Sequence, residues 1–225
     1  MLRVLTDLCV YRTFASFRYE IMSSFRLTLL RHGATVAPAG MLIGHTDLPL
    51  SPLGEQQLAS RNDHFVRFPP SSIASSDLSR CAGFAQQLAA TSGLGCHIDR
   101  NLREMSFGEL DGLAKLQWSE QQQAAWALWS HNLEENTAAG IESWTDFSAR
   151  VNAAFRAWLP LSEGGHRVLI THGGVAKALL LEWLGLPAAR HSQFWLAHAG
   201  MMTLYWDDEY PPILQGIDNE VVLGE

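Results

Sequence analysis

Short apolar runs that break off at glycine-containing turns set the pattern of this chain. Arg26-Leu27-Thr28-Leu29-Leu30 stops at Arg31-His32-Gly33, and Val168-Leu169-Ile170-Thr171 stops at His172-Gly173-Gly174 before the helical run VAKALLLEWLG. A third unit, Ile73-Ala74-Ser75-Ser76, leads into a helix that runs through Arg80 to about Ala90. Runs of this kind predict buried strands, and strands alternating with helices predict a parallel sheet covered on both faces. From Trp144 the apolar positions (Phe147, Val151, Phe155, Trp158) repeat at helical spacing. Ser143 and Asp146 resemble a capping box, so a helix is predicted over 144–159. A helix is also expected around Glu55–Arg61. The stretch 111–140 sets Trp118, Trp126 and Trp129 among Gln, Glu and Ala, which predicts a partly exposed helical segment able to cover a site. The expected fold is α/β: a three-layer sandwich with a mostly parallel central sheet flanked by helices, plus a small helical cap at about 108–145. Residues 1–22 show no periodicity and are expected to be a poorly ordered extension, with Met22 as a second plausible start; residues 23–225 are expected to form one domain.

Composition narrows the class. The 225 residues are 47% apolar, enough for a sizeable core, and the net charge of −7 argues against nucleic acid or an anionic membrane as the main partner. A small anionic substrate remains open, since a pocket needs only a few local arginines. No apolar run approaches the ~20 residues of a membrane span. Cys9, Cys81 and Cys96 lie at no metal-like spacing and read as reduced thiols, which suits a cytoplasmic protein. A homodimer is compatible with these features.

Strands of a parallel sheet present ligands beyond their carboxyl ends, and His32 and His172 fall at such positions. A neutral imidazole is a nucleophile at physiological pH, and a flanking arginine both cancels phosphate charge and matches its oxygens. Gly33 would let backbone approach a phosphate, and Thr35 would add a hydroxyl. Taken alone, Arg31-His32-Gly33 fits a strand-end histidine bonded to backbone equally well. Likewise Arg80 has a surface reading, His172 a core reading and Glu104 a loop-carboxylate reading. The segment Gly44–Gly54 reads as a loop whose amides at Gly44, His45 and Thr46 could face a phosphate.

Taken in order, RHG, GHTDLPLSPLG, SSDLSR, LREMSFGELDG and THGG resemble the histidine phosphatase superfamily, in its phosphoglycerate-mutase-like branch, over roughly residues 25–205. The resemblance implies a single α/β domain with a smaller helical cap. It implies His32 as the phosphorylated nucleophile, Arg31 and Arg80 as phosphate clamps, His172 as a second phosphate-contacting histidine and Glu104 as proton donor. Thr35, Gly44, His45, Thr46 and Gly173 are expected as further substrate contacts, and the resemblance implies neither metal nor cofactor. Ala34 and Phe84 depart from the residues common in the family. Gly140–Phe147, Trp126–Trp129 and the short chain further resemble α-ribazole phosphatases, which implies removal of the 5′-phosphate of α-ribazole phosphate or adenosylcobalamin phosphate. A phosphoglycerate mutase, a broad-specificity phosphatase and a non-catalytic phosphoryl-ligand binder are the competing expectations; all five core positions are intact, which weighs against the last. The tryptophans serve as cap core at least as readily as they serve for base stacking.

Overall fold

The computed structural model describes residues 24–133, 139–207 and 209–220; the expectations for residues 1–22 lie outside them. In chain order the elements are β1 (Phe25–Arg31), α1 (Pro52–Ala59), α2 (Asn62–Arg67), β2 (Ser72–Ser76), α3 (Ser79–Ser92), β3 (Cys96–Asp99), α4 (Glu120–His131), α5 (Trp144–Trp158), β4 (His166–Thr171), α6 (Gly173–Trp183), β5 (Met201–Trp206) and β6 (Ile213–Asp218).

The strands form one sheet in the order β3-β2-β4-β1-β5-β6. Pairings from β3 across to β1 are parallel, and β5 and β6 extend the sheet antiparallel. Alternation along the strands sorts the core into two layers. Leu27, Leu29 and Leu169 meet α5 and α6 through Phe147, Val151, Phe155, Leu179 and Leu180. Leu30, Val168 and Ile170 meet α1, α2 and α3 through Leu58, Phe65, Phe84 and Leu88. Both faces of the inner strands are therefore covered, which is why β1 and β4 read as near-continuous apolar runs. Thr28 is the fully buried polar residue of β1, and its hydroxyl meets His166 Nε2 on β4 at 2.9 Å.

Local chemistry moved some boundaries. The helix expected around Glu55–Arg61 starts at Pro52, because Ser51 Oγ accepts the Gly54 N–H (3.1 Å) and proline takes the first turn; it stops at Ala59, and α2 follows as a separate helix. At α5, Ser143 Oγ accepts the Asp146 N–H at 3.0 Å. Between β3 and α5, short 3₁₀ turns precede α4, which opens on a capping box of Ser119 and Gln122. Trp126 meets Trp118 and Trp129 in tilted ring contacts with centroids 5.6 and 5.0 Å apart, and Phe107 lies 6.2 Å from Trp126. These tryptophans are thus the core of this segment. No helix among the described residues is long and apolar enough to cross a membrane.

Candidate active site

β1 and β4 run parallel with Arg31 level with Thr171, so the next residue of each strand emerges at the same edge. His32 and His172 leave side by side with ring centroids 5.2 Å apart, and the His32 N–H donates to the Thr171 carbonyl at 2.9 Å. Arg80 comes in at the start of α3, after β2, and Glu104 after β3. The carboxyl ends of the parallel strands thus gather all five residues that the sequence singled out as its core set.

His32 is buried, and its Nδ1 lies 2.7 Å from the Gly33 carbonyl oxygen. A carbonyl only accepts, so Nδ1 carries the proton and Nε2 presents a lone pair. Burial, reinforced by the charges of Arg31 and Arg80, holds the imidazole well below its usual pKa, so the ring is neutral. His172 is fully buried and is lowered for the same reasons, burial first and then Arg80 and His32. The Cys81 sulfur lies 3.6 Å from its Nε2.

Arg31 donates through Nη1 to the Leu196 carbonyl (2.7 Å) and meets His198 Nε2 through Nη2 at 3.2 Å. Arg80, only 1% exposed, donates through Nη1 to the Thr46 carbonyl (2.9 Å) and through Nη2 to the Gly44 carbonyl (2.6 Å). The Nε–H of each arginine is buried without an acceptor. A charged donor left unpaired in a dry site is costly, and an oxyanion removes that cost.

Glu104 is fixed by backbone. Its Oε2 accepts the Gly174 N–H (2.9 Å) in the first turn of α6, and its Oε1 accepts the Met105 N–H (3.0 Å). A Cβ at Gly174 would lie 2.1 Å from Oε1, so this carboxylate can reach the helix only over a glycine. The loop bearing Glu104 is held from α5: Arg150 donates to the carbonyls of Asn101 (2.9 Å), Arg103 (2.9 Å) and Glu104 (2.8 Å) while paired with Glu142 at 2.6 Å.

The remaining predicted contacts fare differently. The amides of Gly44, His45 and Thr46 do not offer themselves as phosphate donors: all three donate to the Asp111 carboxylate, at 3.0, 2.5 and 3.2 Å. What that loop supplies to the site is its carbonyls, which grip Arg80. Thr35 Oγ1 accepts the Ala37 N–H at 3.3 Å, within a short bridge between Thr35 and Leu50. Gly33 is required by loop against loop, since a Cβ there would sit 2.2 Å from the Gly54 carbonyl oxygen. Gly173 lies against Arg31, its added Cβ being 3.3 Å from Nε. The two departures find their places: the Ala34 N–H donates to Gln57 (2.8 Å), and Phe84 joins the core beside Phe65. Sequence reasoning passed over His198, whose ring is 5.5 Å from His32, because no turn motif surrounds it. It also gave no positioning role to Asp111 or Arg150, whose partners are backbone atoms of distant loops. Among the described residues no group of three or more His, Cys, Asp or Glu side chains could hold a metal ion.

The sequence profile of the histidine phosphatase superfamily (branch 1) matches residues 27–218. A protein of Citrobacter koseri named probable phosphoglycerate mutase GpmB is 33% identical over 165 residues, which cover 71% of this chain and 75% of that relative. A mycobacterial glucosyl-3-phosphoglycerate phosphatase, solved as a complex with VO3, is 31% identical with a TM-score of 0.69, covering 82% of this chain and 97% of its own. A putative alpha-ribazole-5′-P phosphatase of Escherichia coli superposes with a TM-score of 0.79 over 90% of this chain and 100% of its own. At 21% identity that last likeness shows the fold alone.

Proposed function

Because the chain belongs to the histidine phosphatase superfamily, we propose that it is a phosphomonoesterase that takes the phosphoryl group of its substrate onto His32 Nε2 and then passes it to water. The observation that carries this reading is the pairing of a neutral His32, its proton fixed on Nδ1, with two buried guanidinium groups whose Nε–H donors have no acceptor. An attacking lone pair and unfilled oxyanion donors are what transfer to an imidazole needs. In the first step Nε2 forms a bond to phosphorus as the bond to the ester oxygen breaks, and protonated Glu104 gives its proton to the departing oxygen. In the second step the Glu104 carboxylate takes a proton from water as the water oxygen bonds phosphorus and the P–N bond breaks, returning neutral His32 and inorganic phosphate. Arg31, Arg80 and His172 stabilise the phosphoryl oxygens in both steps, and no residue of this scheme calls for a metal.

For the substrate we retain α-ribazole 5′-phosphate or adenosylcobalamin phosphate, supported by the resemblance of Gly140–Phe147 and Trp126–Trp129. The identity to the probable phosphoglycerate mutase and to the glucosyl-3-phosphoglycerate phosphatase supports phosphoglycerate-type substrates as the second reading. The free thiols of Cys81 and Cys96 suit a cytoplasmic setting, and a homodimer stays compatible with the proposal. The test is a panel of α-ribazole phosphate, 3-phosphoglycerate, phosphoserine and p-nitrophenyl phosphate in excess chelator. Phosphate release is expected, with acid-labile phosphohistidine on the wild-type chain and none on His32→Ala, which should be inactive. Near wild-type turnover by His32→Ala would refute the mechanism, and isomerised phosphoglycerate without phosphate release would favour a mutase.

A further inference from the structure

Asp111 lies in the turn after the Glu104 loop, and its carboxylate collects three consecutive amides: Gly44 (3.0 Å) and Thr46 (3.2 Å) on Oδ1 and His45 (2.5 Å) on Oδ2. Successive backbone N–H groups wrapped round an anion make a nest, and here the anion is a side chain of the protein itself. The orientation has a consequence on the far side of the loop. In a trans peptide the C=O and N–H point in opposite directions, so a His45 N–H aimed at Asp111 aims the Gly44 carbonyl away from it. That carbonyl accepts from Arg80 Nη2 at 2.6 Å, and the Thr46 carbonyl accepts from Nη1 at 2.9 Å. Both terminal nitrogens are thereby gripped, and the buried Nε–H is left without a partner. Gly44 has to be glycine for this approach, since a Cβ there would lie 2.1 Å from the Met105 carbonyl oxygen and 2.8 Å from Asp111 Oδ2.

We infer that Asp111 is a positioning residue, which acts through the Gly44–Thr46 loop to fix the Arg80 guanidinium for the phosphoryl group. The inference rests on the proposed function, in that it takes Arg80 to be a phosphate clamp. The loop is also tied to its neighbour independently of the carboxylate, by Gly112 N–H to the Leu42 carbonyl (2.8 Å), Leu42 N–H to the Leu113 carbonyl (3.4 Å) and a bridge between Met41 and Ala114. Removal of the charge should therefore turn the loop's peptides without detaching it. Asp111→Asn keeps the shape but replaces one acceptor by an NH2 that faces donors.

The experiment is a double-mutant cycle of Asp111→Asn with Arg80→Ala, read as kcat/KM on p-nitrophenyl phosphate and as the inhibition constant of orthovanadate. Arg80→Ala alone should lose on the order of 10²–10³ in rate, the loss seen for one preorganised donor. Asp111→Asn should lose about tenfold or more in the wild-type background, with vanadate weakened in parallel, and less than about threefold when Arg80 is already Ala, because groups acting through one another are not additive. Full activity of Asp111→Asn, or the same loss in both backgrounds, would overturn the inference while leaving the phosphatase reading intact. Wild-type rate in Arg80→Ala would instead remove the clamp on which both depend. Asp111→Glu, which keeps the charge but displaces it, serves in the same cycle if Asp111→Asn is insoluble. Failure of both to fold would assign Asp111 to folding and overturn the inference.

Discussion

A histidine buried beside two guanidinium groups cannot easily carry a charge, and this makes His32 useful. The Gly33 carbonyl fixes the tautomer, so reactivity does not wait on a proton leaving Nε2. The opposite need falls on Glu104: an alkoxide is a poor leaving group and must receive a proton, whereas p-nitrophenolate departs without much help. Glu104→Gln keeps an acceptor for the Gly174 N–H but holds no transferable proton. It should therefore cost alkyl phosphates far more than p-nitrophenyl phosphate. Equal losses on the two substrates, measured as kcat, would show that another group supplies the proton. Glu109 and Asp111, which follow Glu104 in the same stretch, would then become the candidates.

At the level of elements, the strand ends fix His32 and His172, but Glu104 sits on a loop that α5 must hold. Arg150 reaches out of that helix to three carbonyls of the loop, and Glu142 balances its charge while accepting the Ser106 N–H at 3.0 Å. Arg150→Met removes every one of these donors and leaves Glu142 half-buried and unpaired. Breaking one partner of such a pair costs about 3–5 kcal/mol when the pair is fully buried, and less at this exposure. Thermal melting should register a clear drop, and the rate should fall more on alkyl phosphates than on p-nitrophenyl phosphate, because the displaced loop carries the proton donor. An unchanged melting temperature would show that the loop holds itself. The elements that the sequence announced and those it did not differ in a physical way. β1, β4, α5 and α6 are buried on faces whose period appears in the apolar pattern. β3 is Cys96-His97-Ile98-Asp99 at a sheet edge, where half-exposed positions need no such pattern, and β6 is an outer strand too exposed to carry one. The same distinction holds in the site. His32, Arg31, Arg80, Glu104 and His172 sit in local motifs at or shortly after strand ends. Asp111, Arg150 and His198 work through backbone or through one distant side chain, and such partners leave no local mark in a sequence.

Across the whole molecule, neutral buried histidines tie stability to pH. Burial holds His32 and His172 well below their ordinary pKa, and burial together with the Arg31 charge brings His198 down to about 4. In the unfolded chain these rings titrate near ~6.5. Below that pH the unfolded state binds more protons than the folded one, so stability rises with pH in this window and is complete above it. The melting temperature is expected to fall as pH drops from about 7.5 to 5. His198→Asn should flatten part of that slope, and a melting temperature independent of pH in that interval would contradict the buried neutral state.

The central pairing also dictates an order of assembly. β4 is the neighbour of both β1 and β2, yet it follows α5 in the chain, so every helix from α1 to α5 must be looped out before the middle of the sheet can close. Closing such a loop is entropically unfavourable until the distant contacts form, and chains dominated by non-local pairings fold slowly. A nascent chain that has not yet reached His166 holds β1 without either of its neighbours and β2 with β3 alone, a state prone to capture by other chains or by holdases. His172 follows β4 immediately. The two histidines therefore come side by side only in the event that closes the sheet.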